Sequence, residues 1–316
     1  MENRILGLHH ITAIANLAQR NLNFYTQVLG LRFIKKTVNF DDPGTYHFYF
    51  GNKTGAAGTI LTFFPWEGIG PGKNGSGMAT HISYSVAKGA LAFWKKRLQS
   101  YDISYMGERI FDENSISFQD PDGLQLRFTE PVTADDRSGW TTPDINGQMA
   151  LKGFHSVTLT LQNAQATASI LTGVLGYRLQ KQEGNRYRYA TDAVTTAHLI
   201  DIIEDPSIPR GHNAAGTNHH IAFRVKNETI LMQMRKKVIA AGLNITPKID
   251  RDYFFSLYFR EPGGVLFEIA TENPGFTVDE PLKELGNHLK LPKQYEGMRS
   301  KIEAVLPRLE GDTTEL

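Results

Sequence analysis

Gly7-Leu8-His9-His10-Ile11-Thr12 decides how this chain is organised, because it returns 146 residues later (153 − 7) as Gly153-Phe154-His155-Ser156-Val157-Thr158. Each copy leads into a second shared phrase, Val28-Leu29-Gly30-Leu31 and Val174-Leu175-Gly176-Tyr177. A third phrase also occurs twice, Gly77-Met78-Ala79-Thr80-His81-Ile82 and Gly216-Thr217-Asn218-His219-His220-Ile221, at an offset of 139 (216 − 77). Its sequel runs from Phe118 through Asp120-Pro121-Asp122-Gly123 to Arg127. That segment aligns with Phe259 through Glu261-Pro262-Gly263-Gly264 to Glu268, 141 residues on (259 − 118). Self-similarity at a long, nearly fixed spacing marks a duplicated architecture. Each half of the chain holds two related units.

Within a unit the local patterns repeat in the same order. Leu8 to Ile14 alternates apolar and polar residues, the period of a half-buried strand. Residues 17–29 place Leu17, Phe24, Val28 and Leu29 at near-helical spacing, with Gly30 as the stop. Strands are predicted at 31–39, 45–50 and 58–64, with Asp42-Pro43-Gly44 and Gly55 as turns. Unit two spans about 79–129 with a helix near 88–100, unit three about 153–203, and unit four about 217–270 with a helix near 227–241. The expected fold is therefore α+β: four βαβββ units in two paired domains, each an open curved mixed sheet with helices outside. Residues 131–150 are polar and turn-rich, as linkers are. The domains are drawn at 1–133 and 153–275, with a linker at 134–152 and a tail at 276–316 carrying a helix near 292–310.

Composition narrows the chemistry. The chain has 316 residues, 34 Lys plus Arg against 33 Asp plus Glu, ten His and no Cys. A net charge of +1 supplies no field to draw in nucleic acid or an anionic membrane. Without cysteine there is no disulfide scaffold, no thiolate-bound zinc or iron–sulfur cluster, and no thiol nucleophile. Any metal must be held by imidazole and carboxylate. The N-terminal stretch lacks the pattern of a signal peptide, and no apolar run approaches the ~20 residues that span a bilayer. The expectation is a soluble, cytoplasmic protein.

In a repeated scaffold, equivalent positions have equivalent geometry, so the differences between copies are informative. Where unit one has His10, unit three has Ser156; units two and four have His81 and His220; after the Pro-Gly turn, unit two has Arg127 and unit four Glu268. One set, His10, His220 and Glu268, can ligate a metal. The other, Ser156, His81 and Arg127, cannot. Two imidazoles and one carboxylate form the facial triad of non-haem Fe(II) oxygenases, which leaves coordination positions open. Glu268 lies in the apolar run Val265-Leu266-Phe267-Glu268-Ile269-Ala270, where a charge is costly unless it is paired or bound to metal. Strand alternation sends neighbouring side chains to opposite faces, so one histidine of each doublet is expected to face the ion. His47, His198, His212 and His288 are read as loop or surface residues.

These phrases resemble the vicinal oxygen chelate superfamily, which includes glyoxalase I, fosfomycin and bleomycin resistance proteins, and extradiol ring-cleaving dioxygenases. The likeness is carried by Leu8-His9-His10-Ile11-Thr12, Val28-Leu29-Gly30-Leu31, His219-His220-Ile221-Ala222-Phe223 and Pro262 through Ala270. It extends over roughly residues 5–275 and comes nearest to the hydroquinone-type ring-cleaving branch. In that branch the first histidine comes from the first unit, whereas catechol enzymes take it from the third, where this chain has Ser156. The resemblance implies metal ligands His10, His220 and Glu268; catalytic residues Thr12, His219, Arg251 and Tyr258; Fe(II), or alternatively Mn(II); and as partners an aromatic diol and O2, with no nucleic acid and no membrane. Under it His219 is the acid/base candidate, and Tyr258 and Arg251 donate hydrogen bonds to substrate oxygens. A homo-oligomer is compatible with this reading.

Two rival functions are weighed against it. A glyoxalase-type isomerase needs a second carboxylate from the fourth strand of unit one. That strand reads Gly58-Thr59-Ile60-Leu61-Thr62-Phe63-Phe64-Pro65, and the nearest acid is Glu67 beyond it. A metal-free binding protein of the resistance type would have no use for two histidines and a buried carboxylate. Phe63, Phe64, Trp66, Phe254 and Phe255 are the aromatic residues placed to wall a pocket for an aromatic ring.

Overall fold

A computed structural model describes residues 4–310. Unit one comprises β1 (Leu8–Ala15), α1 (Ala18–Asn23), β2 (Arg32–Val38), β3 (Tyr46–Gly51) and β4 (Ile60–Pro65). Unit two has β5 (Met78–Ser85), α2 (Leu91–Ser100), β6 (Tyr105–Ile110), β7 (Glu113–Gln119) and β8 (Gln125–Glu130). Unit three has β9 (Phe154–Leu161), α3 (Gln165–Gly173), β10 (Arg178–Glu183), β11 (Arg186–Ala190) and β12 (Leu199–Glu204). Unit four has β13 (Thr217–Val225), α4 (Glu228–Ala240), β14 (Ile249–Asp250), β15 (Phe254–Arg260) and β16 (Leu266–Pro274). All four keep the expected βαβββ order. The helix of unit one extends through one wider turn, Phe24–Val28, before Gly30 ends it with φ of +64°. The tail adds a 3₁₀ turn, Lys293–Met298, and a short helix α5, Arg299–Val305. None of the described helices is long and apolar enough to cross a membrane.

The units pair differently from their order in the chain. One curved sheet runs β14-β15-β16-β13-β1-β4-β3-β2 and so joins units one and four. The other runs β10-β11-β12-β9-β5-β8-β7-β6 and joins units two and three. We call them the outer and inner sheets, after the positions of their units in sequence. Strands from both 1–133 and 153–275 build each of the two curved mixed sheets of this α+β fold. The reason is long-range register: β1 pairs antiparallel with β13, and β5 with β9, so each central seam crosses the linker.

A bulge sits on each side of each central seam. Leu8 opposes Phe223 and His10 opposes Ala222, which leaves His9 as the extra residue. Thr12 opposes His220 and Ala13 opposes Asn218, which leaves His219 extra. A bulge inserts one unpaired residue and redirects its neighbours. This explains why Leu8 and Ile11, an odd number of positions apart, both join the apolar core, while His10 and Thr12 turn to the opposite face of β1. The tail straps onto unit one. Buried Lys35 is 2.6 Å from Asp279 and also bridges Glu280, and Tyr295 donates to the Phe40 carbonyl at 2.7 Å.

Candidate metal centre

The two central strands of the outer sheet and their neighbour β16 bring His10, His220 and Glu268 together, all buried (2%, 5% and 0% exposed). His10 Nε2 is 3.0 Å and His220 Nε2 is 2.9 Å from Glu268 Oε2, and the two Nε2 atoms are 3.4 Å apart. Ligand bonds of ~2.0–2.2 Å at right angles separate neighbouring donor atoms by about 3 Å, so this triangle matches one face of a divalent-ion site. Glu268 Oε2 has no hydrogen bond of acceptable geometry, although it is buried. Its other oxygen, Oε1, accepts from Ser256 Oγ. Burial alone would raise the Glu268 carboxyl, but the imidazoles of His10 and His220 hold it well below the usual carboxylate range. The three donor atoms lie within 3.4 Å of one another. Among the described residues they form the one His/Asp/Glu cluster with this convergence.

The bulges correct the expectation that the histidines of each doublet face opposite ways. His9 Nδ1 lies 2.9 Å from His10 Nδ1, and His219 Nδ1 lies 2.8 Å from His220 Nδ1. With Nε2 of each ligand turned to the metal position, its Nδ1–H donates to the neighbouring imidazole, the kind of outer contact that fixes a ligand's tautomer. Burial, then the adjacent ligand, pushes His9 and His219 down to about 3, so both are neutral acceptors at Nδ1. The remaining proton of His219 is then on Nε2.

A cavity of about 310 Å³ opens at the triad. Thr12, His219, Arg251 and Tyr258, expected to act beside the metal, all line it. Tyr258 pairs in register with Glu268 on the adjacent strand, and burial raises its hydroxyl pKa. The Arg251 guanidinium lies 5.4 Å from the Tyr258 ring and 5.3 Å from the Phe40 ring, and pairs with Asp41 at 3.6 Å rather than with Glu268. Of the expected aromatic walls, Phe64, Trp66 and Phe254 line the cavity, whereas Phe63 lies in the apolar core and Phe255 under Lys248. Trp66 Nε1 and Thr45 Oγ1 both donate to Asp42, which ties down the loop at the cavity mouth.

His47 is the principal correction. It is not a loop residue but sits on β3, 8% exposed, and lines the cavity with Tyr49. The available signal was period two on β3: His47 and Tyr49 share a face opposite Phe48 and Phe50, which belong to the core. Ser256 was also missed, though it lies two residues before Tyr258 on the same strand. His198 is half-buried, and His212 and His288 are exposed.

With this geometry established, comparison with known proteins gives the family. The model of the Glyoxalase/Bleomycin resistance protein/Dioxygenase superfamily matches residues 7–128 and 153–269, and the chain belongs to that superfamily. Two relatives from Bacillus subtilis (strain 168), MhqO and MhqE, carry the provisional name of ring-cleaving dioxygenase. They are 44% and 45% identical over 96% of this chain, and over 96% and 99% of their own lengths. The chlorohydroquinone/hydroquinone 1,2-dioxygenase of Sphingobium indicum is 36% identical over 95% of both chains. A crystal structure of a provisionally named Bacillus subtilis dioxygenase superposes with a TM-score of 0.94 at 43% identity over 98% of each chain. Glyoxalase I of Zea mays shares the fold at a TM-score of 0.64 and 13% identity, over 90% of this chain and 97% of its own.

Proposed function

We propose that the protein is an Fe(II)-dependent dioxygenase, of the non-haem extradiol type, that opens the ring of hydroquinone-type diols. The observation that carries this reading is the buried Glu268 Oε2, met by two imidazole nitrogens and by no hydrogen bond. The likeness to a hydroquinone 1,2-dioxygenase over nearly the whole chain supports the substrate class. Two imidazoles and one carboxylate suit Fe(II), with Mn(II) the alternative. When bound, the ion supplies Lewis acidity to a phenolic oxygen and an electron path between ring and O2.

The remaining chemistry belongs to the chain's own side chains. Phe64, Trp66 and Phe254 give the ring an apolar seat, in a cavity near the lower end of the size range for small-molecule sites. Arg251 and Tyr258 donate to substrate oxygens and resist losing their own protons. His219, which lines the cavity, offers Nε2–H to an oxygen developing negative charge, the role of a general acid. A glyoxalase-type isomerase would draw a further carboxylate from β4, but the side chain that β4 turns toward β1 is Thr62.

The test is oxygen uptake by protein loaded anaerobically with Fe(II), screened against hydroquinones and catechols. Stoichiometric uptake with ring-opened acids from hydroquinones is expected. Turnover of a methylglyoxal–glutathione adduct without oxygen uptake would overturn the proposal.

A further inference from the structure

A buried line of hydrogen bonds runs beside the triad, and the chemistry above makes no use of it. Tyr49 Oη lies 3.0 Å from His47 Nδ1, His47 Nε2 lies 2.9 Å from Thr62 Oγ1, and Thr62 Oγ1 lies 2.8 Å from Thr12 Oγ1. All four side chains are within 8% of full burial. The sheet register holds them in one row: Tyr49 opposes Thr62 across β3 and β4, and Thr62 opposes Thr12 across β4 and β1.

Counting protons leaves this row two directions, which differ in the end that offers a proton to the cavity. Burial, and after it the nearby His10 and His220, keeps His47 well below its ordinary value, so the ring is neutral with one donor and one acceptor. Tyr49 Oη has His47 as its hydrogen-bond partner among the described residues, and the tyrosine is 1% exposed. If His47 carried its proton on Nδ1, Tyr49 would accept from it, and the Tyr49 hydroxyl proton would be left to the cavity that Tyr49 also lines. In the other direction Tyr49 donates to Nδ1, and Nε2–H donates to Thr62. Thr62 in turn donates to Thr12. The Thr12 proton has nowhere to go but the cavity, which Thr12 lines together with His10.

We infer that His47 is a positioning residue: acting through Thr62, it fixes the Thr12 hydroxyl as a hydrogen-bond donor to the anionic oxygen of a phenolic ligand beside His10. A phenolate oxygen has lone pairs and no proton, so a fixed donor complements it and disfavours a ligand that presents an O–H at that point. The ligand class rests on the ring-cleaving reading, whereas the direction of the row is tested on the protein alone.

Two measurements test the inference. Imidazole 15N spectra of the metal-free protein should show His47 as the Nε2–H tautomer, and Tyr49→Phe should release it to a mixture. An Nδ1–H ring in the wild-type protein overturns the inference and leaves ring cleavage standing. Under argon, the Fe(II)-loaded Thr62→Val protein should bind phenol about threefold to tenfold more weakly while retaining its metal, and Thr62→Ser should restore binding. Unchanged affinity in Thr62→Val, or failure of serine to rescue it, also overturns the inference. A wild-type protein that shows the Nε2–H tautomer and binds phenol, yet takes up no oxygen with any diol, instead removes the ring-cleaving reading.

Discussion

The outer and inner sheets use the same backbone device and put different chemistry on it. Bulges at His9 and His219 in the outer sheet have counterparts at His155 and Thr80 in the inner one, at equivalent places in the register. In both sheets the bulged residue contacts its neighbour. His9 and His219 reach His10 and His220 at 2.9 and 2.8 Å, while His155 reaches Ser156 at 3.2 Å and Thr80 reaches His81 at 3.1 Å. The sheets then diverge. Glu268 in the outer sheet turns an oxygen without an accepted hydrogen bond toward two imidazole nitrogens. Its counterpart Arg127 is met by Glu108 at 3.1 Å. The inner sheet also closes Glu113 with His155 at 3.1 Å and with Arg188, which forks onto Asp201 at 2.7 and 2.8 Å. A shared scaffold thus carries a candidate metal site where two imidazoles and a carboxylate converge, and a structural ion-pair network where carboxylates meet arginines.

The largest expected effect comes from breaking the outer set. Glu268→Gln should lower Fe(II) affinity by more than the roughly 100-fold that outer-shell partners are worth, and abolish oxygen uptake, with the fold retained by circular dichroism. In the inner sheet, Arg188→Met strands two buried carboxylates, so urea unfolding of the chelator-treated protein should show a loss of about 3–5 kcal/mol. Metal stoichiometry should not change, because Arg188 belongs neither to the triad nor to the cavity beside it.

Smaller effects sharpen the contrast. Ser256→Ala removes the donor to Glu268 Oε1 and should weaken Fe(II) binding about 10- to 100-fold by equilibrium dialysis, with little change in unfolding. The pH response, taken per histidine and per pH unit, is the smallest and is common to both sheets. His9 and His219 are held at about 3, and His81 and His198 at about 4, in each case chiefly by burial. Their folded values lie below the unfolded value near 6.5. The unfolded chain therefore takes up protons first, and the stability they contribute is complete above that pH and declines as pH falls toward 4. For the chelated protein the slope should reach about 1.4 kcal/mol per pH unit for each histidine, and His81→Asn should remove one such share.

Much of this was legible in the sequence, for definable reasons. The repeated phrases align four units, and comparing copies isolates His10, His220 and Glu268 because Ser156, His81 and Arg127 break the pattern at matching positions. The unit pairing was not legible, because no local period records which strand meets which across 70 (154 − 84) to 215 (223 − 8) residues of chain. The bulges were half-legible. Leu8 and Ile11 are too far out of phase for a regular strand with one apolar face, and a strict alternation rule hid the fact that His9 stays beside His10. His47 was passed over because an isolated histidine near a turn carries no motif. Its role comes from Tyr49 and Thr62, which only the register places next to it.

The account stands or falls on whether the outer triad alone binds a divalent ion. Anaerobic equilibrium dialysis of chelator-treated protein against Fe(II), run in parallel for wild type, Glu268→Gln and His81→Ala, measures that directly. About one tight ion per chain in wild type and His81→Ala, and none in Glu268→Gln, is the predicted result. Tight binding that survives in Glu268→Gln, or is lost in His81→Ala, would contradict it.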